Sequence, residues 1–211
     1  MSITDTEINF VYKTYSIIAH DFDRTRWKPW SSVLSFISSI PSDKFLVDVG
    51  CGNCKNLLLK PSNSLGIDII PEFVDIGISK GINCILGSIL DIPLETNFSD
   101  FTISIAVIHH LSTFENRIKA IQELIRITKP NGQIMIQIWA FEQPDKSPFK
   151  FTKGDNFIPW KNVKGEVSAI RYYHISDKTD FFNLIHFFDK QIIINNIFLE
   201  NGNWCCIFQK L

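Results

Sequence analysis

The stretch Val47-Asp48-Val49-Gly50-Cys51-Gly52-Asn53 constrains this chain more than any other. A short apolar run, Phe45 to Val49, meets two glycines one residue apart, and a helical pattern follows from near Cys54 to Leu59. Glycine takes the positive-φ conformations that a strand needs to turn sharply into a helix, and it lets the backbone come close to a ligand. A pyrophosphate-binding turn would call for a third glycine two positions beyond Asn53, where Lys55 stands instead. Asp68, at the end of the next apolar run, is placed for a carboxylate that accepts both hydroxyls of a ribose. A nucleoside without phosphates fits these features better than a dinucleotide. Alone, a Gly-x-Gly after a strand is merely a tight turn. Asp48 inside the strand, Asp68 after the second and Gly87-Ser88 after the third favour a nucleoside site.

The same strand and helix alternation runs on. Leu65 to Ile67 precedes a helix opening at Pro71, Cys84 to Leu86 leads into a loop, and Phe101 to Val107 is a continuous apolar run. Apolar positions at 118, 121, 124 and 125 predict a helix over 117–127, which Lys129-Pro130-Asn131-Gly132 stops before a fifth strand, Gln133 to Ala140. Such alternation predicts a doubly wound α/β sheet of mostly parallel strands. Ile3 to Ala19 reads as an amphipathic helix behind a Thr4 cap, and a second helix follows Pro29. Positions 141–169 read as an irregular substrate-side insertion, since loops of that length are commonly lids or binding elements. After a helix over 178–187, the runs 192–199 and 204–208 flank Asn201-Gly202, a strong hairpin signal, so the sheet is expected to end in an antiparallel pair. No repeat or linker interrupts the 211 residues, which are expected to form one domain.

A formal net charge of −1 leaves no global excess of cations to hold a phosphate backbone, so a nucleic-acid partner needs a local patch. Lys146, Lys150, Lys153, Lys161 and Lys164, interleaved with Phe149, Phe151 and Trp160, offer one, or else a solvated loop. Five cysteines without framework spacing behind a polar beginning predict reduced thiols in a cytoplasmic protein, and no apolar run has the length of a membrane helix. Cys51 and Cys54 read as turn packing, because no second pair completes a metal site. No metal is expected.

Val47 to Asn53, Gly66-Ile67-Asp68 and Ile103 to His110 resemble the successive motifs of class I methyltransferases, a Rossmann-like fold with a seven-stranded sheet. More narrowly, Thr25 to Trp30, the pair His109-His110, Trp139 to Gln143, Pro159-Trp160 and Arg171 to His174 resemble the eukaryotic tRNA wobble-uridine carboxymethyl methyltransferases, over about Val11 to Trp204. The resemblance implies S-adenosyl-L-methionine as cofactor and the carboxylate of 5-carboxymethyluridine in the tRNA anticodon loop as methyl acceptor. A small zinc-binding activator subunit is implied as partner. It also implies that Tyr15, Asp48, Gly50, Gly52, Asp68, Ile69, Ser88, Ile89 and Ala106 bind the cofactor. Methyltransferases of this class usually carry an acidic residue where Ser88 stands, so Ser88 or the neighbouring backbone is expected to read the adenine.

Methyl transfer from a sulfonium to an ionised carboxylate needs alignment rather than a base, and alignment alone is worth about 7–11 kcal/mol. Arg26 and Arg171 are the candidate guanidinium forks for the carboxylate or a phosphate, with surface ion pairing as the alternative. His109 and His110 fall at the carboxyl edge of the fourth strand, where one is expected to face the site, taken as His109. Trp139, Trp160, Tyr172 and Tyr173 are candidates to stack on an unstacked uridine, and Trp204 is expected in the core. Among these, Arg26, His109, Trp139, Arg171 and Tyr172 are expected to orient the substrate. An open edge at Cys84, Ile85 and Leu86 invites strand addition by a partner. Two rivals are a small-molecule carboxyl methyltransferase and a non-catalytic subunit that binds RNA or the activator.

Overall fold

In the computed structural model, which describes residues 2–211, nine strands form. They are β1 (Leu46–Val49), β2 (Ser64–Asp68), β3 (Cys84–Leu86), β4 (Ser99–Ile105), β5 (Thr128–Trp139), β6 (Gly154–Lys161), β7 (Val167–Ile175), β8 (Ile192–Glu200) and β9 (Asn203–Lys210). Seven build one sheet in the order β3-β2-β1-β4-β5-β9-β8. The first five run parallel, and β9 enters antiparallel between β5 and β8. Asn201 (φ +47°) and Gly202 (φ +77°) supply the two left-handed residues that close the β8–β9 hairpin.

Every residue of β1 is buried, as a parallel strand covered on both faces must be. Helices α5 (Phe114–Ile127) and α6 (Lys178–His186) present Ile121, Leu124, Phe181 and Ile185 to one core, where Trp204 also packs. On the opposite face α3 (Ser31–Ser38) lays Val33, Phe36 and Ile37 against Leu46, Ile103 and Met135. The carboxyl ends of β1, β2 and β4 therefore lie side by side, the edge at which open α/β sheets bind ligands.

The amino-terminal segment forms a roof over that edge. It is helical through α1 (Asp5–Glu7), a π-helical turn at Ile8–Tyr12 and α2 (Lys13–Thr25), capped as expected by Thr4, whose hydroxyl accepts the Glu7 N–H. Glu7 is wholly buried without a cation. Its carboxylate accepts from Thr4 N–H, Ser112 N–H and the Asn116 amide, which pins the roof to the segment after β4. Val11, Tyr15, Ile18 and Ala19 pack against Ile70, Phe73 and Ile76 around α4 (Pro71–Ser79).

Three expectations change. No regular helix follows Gly52: Cys54 sits at φ +59°, which breaks a right-handed helix, and only a 3-10 turn, Leu57–Leu59, survives. The amino-terminal helix extends six residues past Ala19, to Thr25. The insertion is irregular only over 141–153, because β6 and β7 pair as a separate antiparallel sheet. The pattern is hidden in β6 by Asp155, Asn156 and Pro159; a two-stranded ribbon tolerates the proline, and only Asn156 and Trp160 of this strand are buried. This ribbon is tied to the roof where Thr14 donates to the Ile170 carbonyl (2.8 Å) and Trp160 Nε1 to Asp21 (2.7 Å).

Candidate active site

A crevice opens at the carboxyl ends of β1, β2 and β4, with about 980 Å³ of space that includes its open mouth. Its floor is the turn after β1. Gly50 has φ +76°, and a Cβ there would overlap Val107, with Cγ1 at 2.8 Å, so glycine is demanded both by backbone and by space. The Gly52 N–H donates to Asp68 Oδ2 at 2.7 Å and the Ile70 N–H to Oδ1 at 2.9 Å. Each Asp68 oxygen keeps a lone pair that a sugar hydroxyl can meet. Burial pushes the Asp68 carboxyl up to about 6 against these hydrogen bonds, so it is ionised at neutral pH.

Tyr15, Gly50, Gly52, Asp68, Ile69, Ser88, Ile89 and Ala106 all line this crevice. Asp48 does not. It lies wholly buried in β1 beneath the turn, where Oδ2 accepts from the Asn56 amide (3.2 Å), Oδ1 has no partner, and burial pushes the carboxyl up to about 7. Through Asn56 it braces the turn that floors the crevice. Ser88 Oγ accepts the Leu90 N–H at 3.1 Å, leaving its own hydrogen free to donate. Lys55 lines the crevice as well, and burial lowers its pKa. By sequence, Lys55 marks only the absence of a third glycine. That same position, one turn from the floor, was the available signal that a cation faces the ligand.

The roof and the ribbon meet the crevice through one directional chain of hydrogen bonds. The His110 Nδ1–H donates to the Tyr172 carbonyl (2.7 Å), so the neutral ring must accept at Nε2, from the Tyr15 hydroxyl (3.0 Å). Tyr15 in turn accepts from the Tyr173 hydroxyl (3.3 Å), and Tyr173 accepts from Arg171 Nη1 (2.6 Å). Burial, with the Arg171 charge adding to it, pushes His110 down to about 3 although the Tyr172 carbonyl favours its charged form. The ring is neutral at any physiological pH, which is what this chain requires.

The substrate-side expectations divide. His110, not His109, lines the crevice. His109 is buried behind it, its Nδ1 accepting the Trp139 N–H (3.0 Å) and its Nε2 unpartnered, with burial holding its pKa well down. Tyr172 points away, its hydroxyl donating to Asp155 Oδ1 at 2.6 Å. Side chains alternate along a strand, so Arg171 and Tyr173 share the face toward the site and Tyr172 takes the other. Tyr173, one residue from the expected position, stacks on Trp139 with centroids 4.5 Å apart and planes 10° apart. Arg171 is 5% exposed, and its Nε has no partner. Its guanidinium lies 4.8 Å from the Trp160 ring, and exposed Arg26 lies 5.3 Å from the same ring. Among the described residues, neither arginine has a carboxylate within ion-pair distance. A second cavity, of about 700 Å³, adjoins the first at Trp30, which lines both, and is walled by Trp139, Phe149 and Lys146.

The strand order, the glycine turn and the acid at the end of β2 define a methyltransferase fold, and residues 47–136 match the family described as methyltransferase domain. A tRNA (carboxymethyluridine(34)-5-O)-methyltransferase of Schizosaccharomyces pombe is 30% identical over 225 residues, covering 97% of both proteins. Its Arabidopsis thaliana counterpart is 42% identical over 147 residues, which is 69% of this chain but 36% of that protein, so the chain spans about a third of the plant relative. The chain belongs to the tRNA (carboxymethyluridine(34)-5-O)-methyltransferase family. Among solved structures, a Haloferax volcanii methyltransferase in complex with the Trm112 methyltransferase activator superposes with a TM-score of 0.66 over 96% of this chain and 98% of its own, at 12% identity, a likeness of fold alone. Among the described residues, no helix is long and apolar enough to cross a membrane.

Proposed function

We propose that this chain transfers a methyl group from S-adenosyl-L-methionine to the carboxylate of 5-carboxymethyluridine at the tRNA wobble position. The observation that carries this reading is Arg171: a buried guanidinium without a carboxylate, near the same Trp160 ring as exposed Arg26 and joined to crevice-lining Tyr15 through the Tyr173 hydroxyl. An uncompensated buried charge is expensive, and an incoming anion offsets that expense.

When bound, S-adenosyl-L-methionine supplies an electrophilic methyl group on a sulfonium sulfur. Asp68 would hold its ribose, Gly50 and Gly52 would let the backbone approach, and Ser88 and Ile89 would flank the base, all of them lining the crevice. Arg171 and Arg26 orient the uridine carboxylate, while Trp139 and Phe149 offer aromatic faces to the base in the adjoining cavity. With the cofactor bound, its methyl group would pass to a carboxylate oxygen and the carbon–sulfur electron pair would leave with sulfur, while Arg171 and Arg26 would hold that oxygen in line. No proton moves, since a carboxylic acid with a solution pKa of about 4 is already ionised. Neutral, buried His109 and His110 are suited to positioning rather than to base catalysis.

Exposed Arg26, Trp27 and Lys28, with Lys146, Lys150, Lys161 and Lys164, provide the local cationic and aromatic surface for RNA that the net charge denies. Lys153 is withdrawn from it by ion pairs to Asp177 and Asp180. The open β3 edge, with Leu86 56% exposed, suits strand addition by a small zinc-binding activator, and the Haloferax neighbour was solved in complex with a methyltransferase activator. Five unbridged cysteines fit a cytoplasmic setting.

The test is transfer of labelled methyl to tRNA that lacks the ester, with activator present, followed by nucleoside mass spectrometry. Conversion of 5-carboxymethyluridine to its methyl ester is expected. Label in free carboxylic acids and none in tRNA would overturn the reading.

A further inference from the structure

Cys54 was paired with Cys51 by sequence spacing, but the fold adds a third thiol. Cys84, the first residue of β3, places its sulfur 3.2 Å from Cys54 Sγ, and Cys51 Sγ lies 3.5 Å from Cys54 Sγ. All three sulfurs lie within 4.8 Å of one another. Cys51 and Cys54 are buried, and Cys84 is half-buried as a residue with its thiol inside the cluster. Two glycines open the space: a Cβ at Gly66 would stand 2.8 Å from Cys51 Sγ and 3.0 Å from Cys84 Sγ, and one at Gly77 would stand 2.6 Å from Cys54 Sγ. A larger residue at either position would push the sulfurs apart. Cys205 and Cys206, the remaining cysteines, lie far along the chain in β9 and outside this cluster.

We propose that Cys51, Cys54 and Cys84 form a binding site for one thiophilic d10 cation, of the zinc or copper(I) class. Metal–sulfur bonds of about 2.3 Å set three sulfurs about 3.8–4.0 Å apart, so the observed spacings need to change by less than about 1 Å. Thiolate donors select soft cations over magnesium or calcium. No imidazole or carboxylate joins the three sulfurs among the described residues, which leaves either a trigonal site or one position for an outside ligand. Each thiol gives up its proton to solvent as the metal binds. The bound cation would lock the turn that floors the crevice to the edge strand β3.

The test needs no methyl transfer. The full chain, reduced with a phosphine, is titrated with cadmium(II) as a zinc probe and, in a parallel arm, with copper(I) delivered from a chelator under anaerobic conditions. The ultraviolet thiolate-to-metal charge-transfer band is followed. Saturation at one metal per chain is expected in at least one arm, with affinity falling at least tenfold in Cys84→Ala and in the near-isosteric Cys84→Ser but unchanged in Cys206→Ala. Absence of the band in both arms, or a band that survives both Cys84 variants, would overturn the proposal. So would mass spectrometry that recovers Cys54 and Cys84 as a disulfide from reduced, metal-exposed protein.

Discussion

Arg171→Ala is expected to slow methyl transfer to tRNA by about two orders of magnitude or more while S-adenosylhomocysteine binds within about twofold of its original affinity. Misplacing a reacting group by about 1 Å costs on the order of 10²-fold, and buried Arg171 is the cation proposed to hold the acceptor carboxylate. Removing one partner of an ion pair strands the other, but Arg171 has no carboxylate to strand. What goes is the hydrogen bond to the Tyr173 hydroxyl and the contacts with the Trp160 and Tyr173 rings, so the thermal midpoint should fall by only a few degrees. Arg171→Lys retains the charge and loses the planar fork, and it should recover only part of the rate. Steady-state kinetics with saturating cofactor, alongside calorimetry, reads both quantities. A proportional loss of stability, cofactor binding and rate would make Arg171 a structural residue.

Gly50→Ala should lower both stability and cofactor affinity. The backbone at φ +76° costs an L-residue about 1–2 kcal/mol, and forcing a methyl group into the Val107 side chain costs a further 1–3 kcal/mol, roughly. A drop of about 2–5 kcal/mol in unfolding free energy is expected, with at least a tenfold loss in S-adenosylhomocysteine affinity as the floor of the crevice shifts. Val107→Ala in the same chain removes the colliding Cγ atoms and should restore the packing part but not the backbone part. Denaturant unfolding of the single and double variants separates the two. A Gly50→Ala protein as stable as the parent would contradict the geometry assigned to the turn.

The parallel core and the glycine floor were legible because each residue there answers to one dominant local demand. Val47 and Val49 are buried from both faces, Gly50 must turn left-handed, and Asp68 ends its strand at the ligand edge. The 3-10 turn at Leu57–Leu59 was not legible, since only the fold reveals that Cys54 turns left-handed. Nor was the β6–β7 ribbon, because burial is sparse in β6 and falls on consecutive residues in β7, so neither strand shows a clean alternation. Tyr172 against Tyr173 and His109 against His110 are one-residue choices that depend on strand phase and on the 3-10 turn at Ile108–His110. Composition cannot decide which neighbour faces inward. The burial of Asp48 beneath the turn, with Asn56 as partner, was not legible either, because an acid in the motif strand gives no sign of which way it points. Cys84 joined the two turn cysteines only through parallel pairing of β2 with β3.

The central claim is that Asp68 grips the ribose of an adenosyl ligand at the carboxyl ends of β1 and β2. Calorimetric titration of S-adenosylhomocysteine into the chain, alone and with the activator, tests it most directly. One site per chain is expected, weakened about 10- to 100-fold by Asp68→Ala, equivalent to about 1.5–3 kcal/mol for a hydrogen bond to a charged group. The Asp68 carboxyl titrates at about 6, and only its ionised form accepts from both hydroxyls. Affinity should therefore hold above neutrality and fall about tenfold by pH 5, and Asp68→Ala should abolish that slope. Binding absent in both the free and partnered chain, or affinity and pH dependence unaltered by Asp68→Ala, would contradict it.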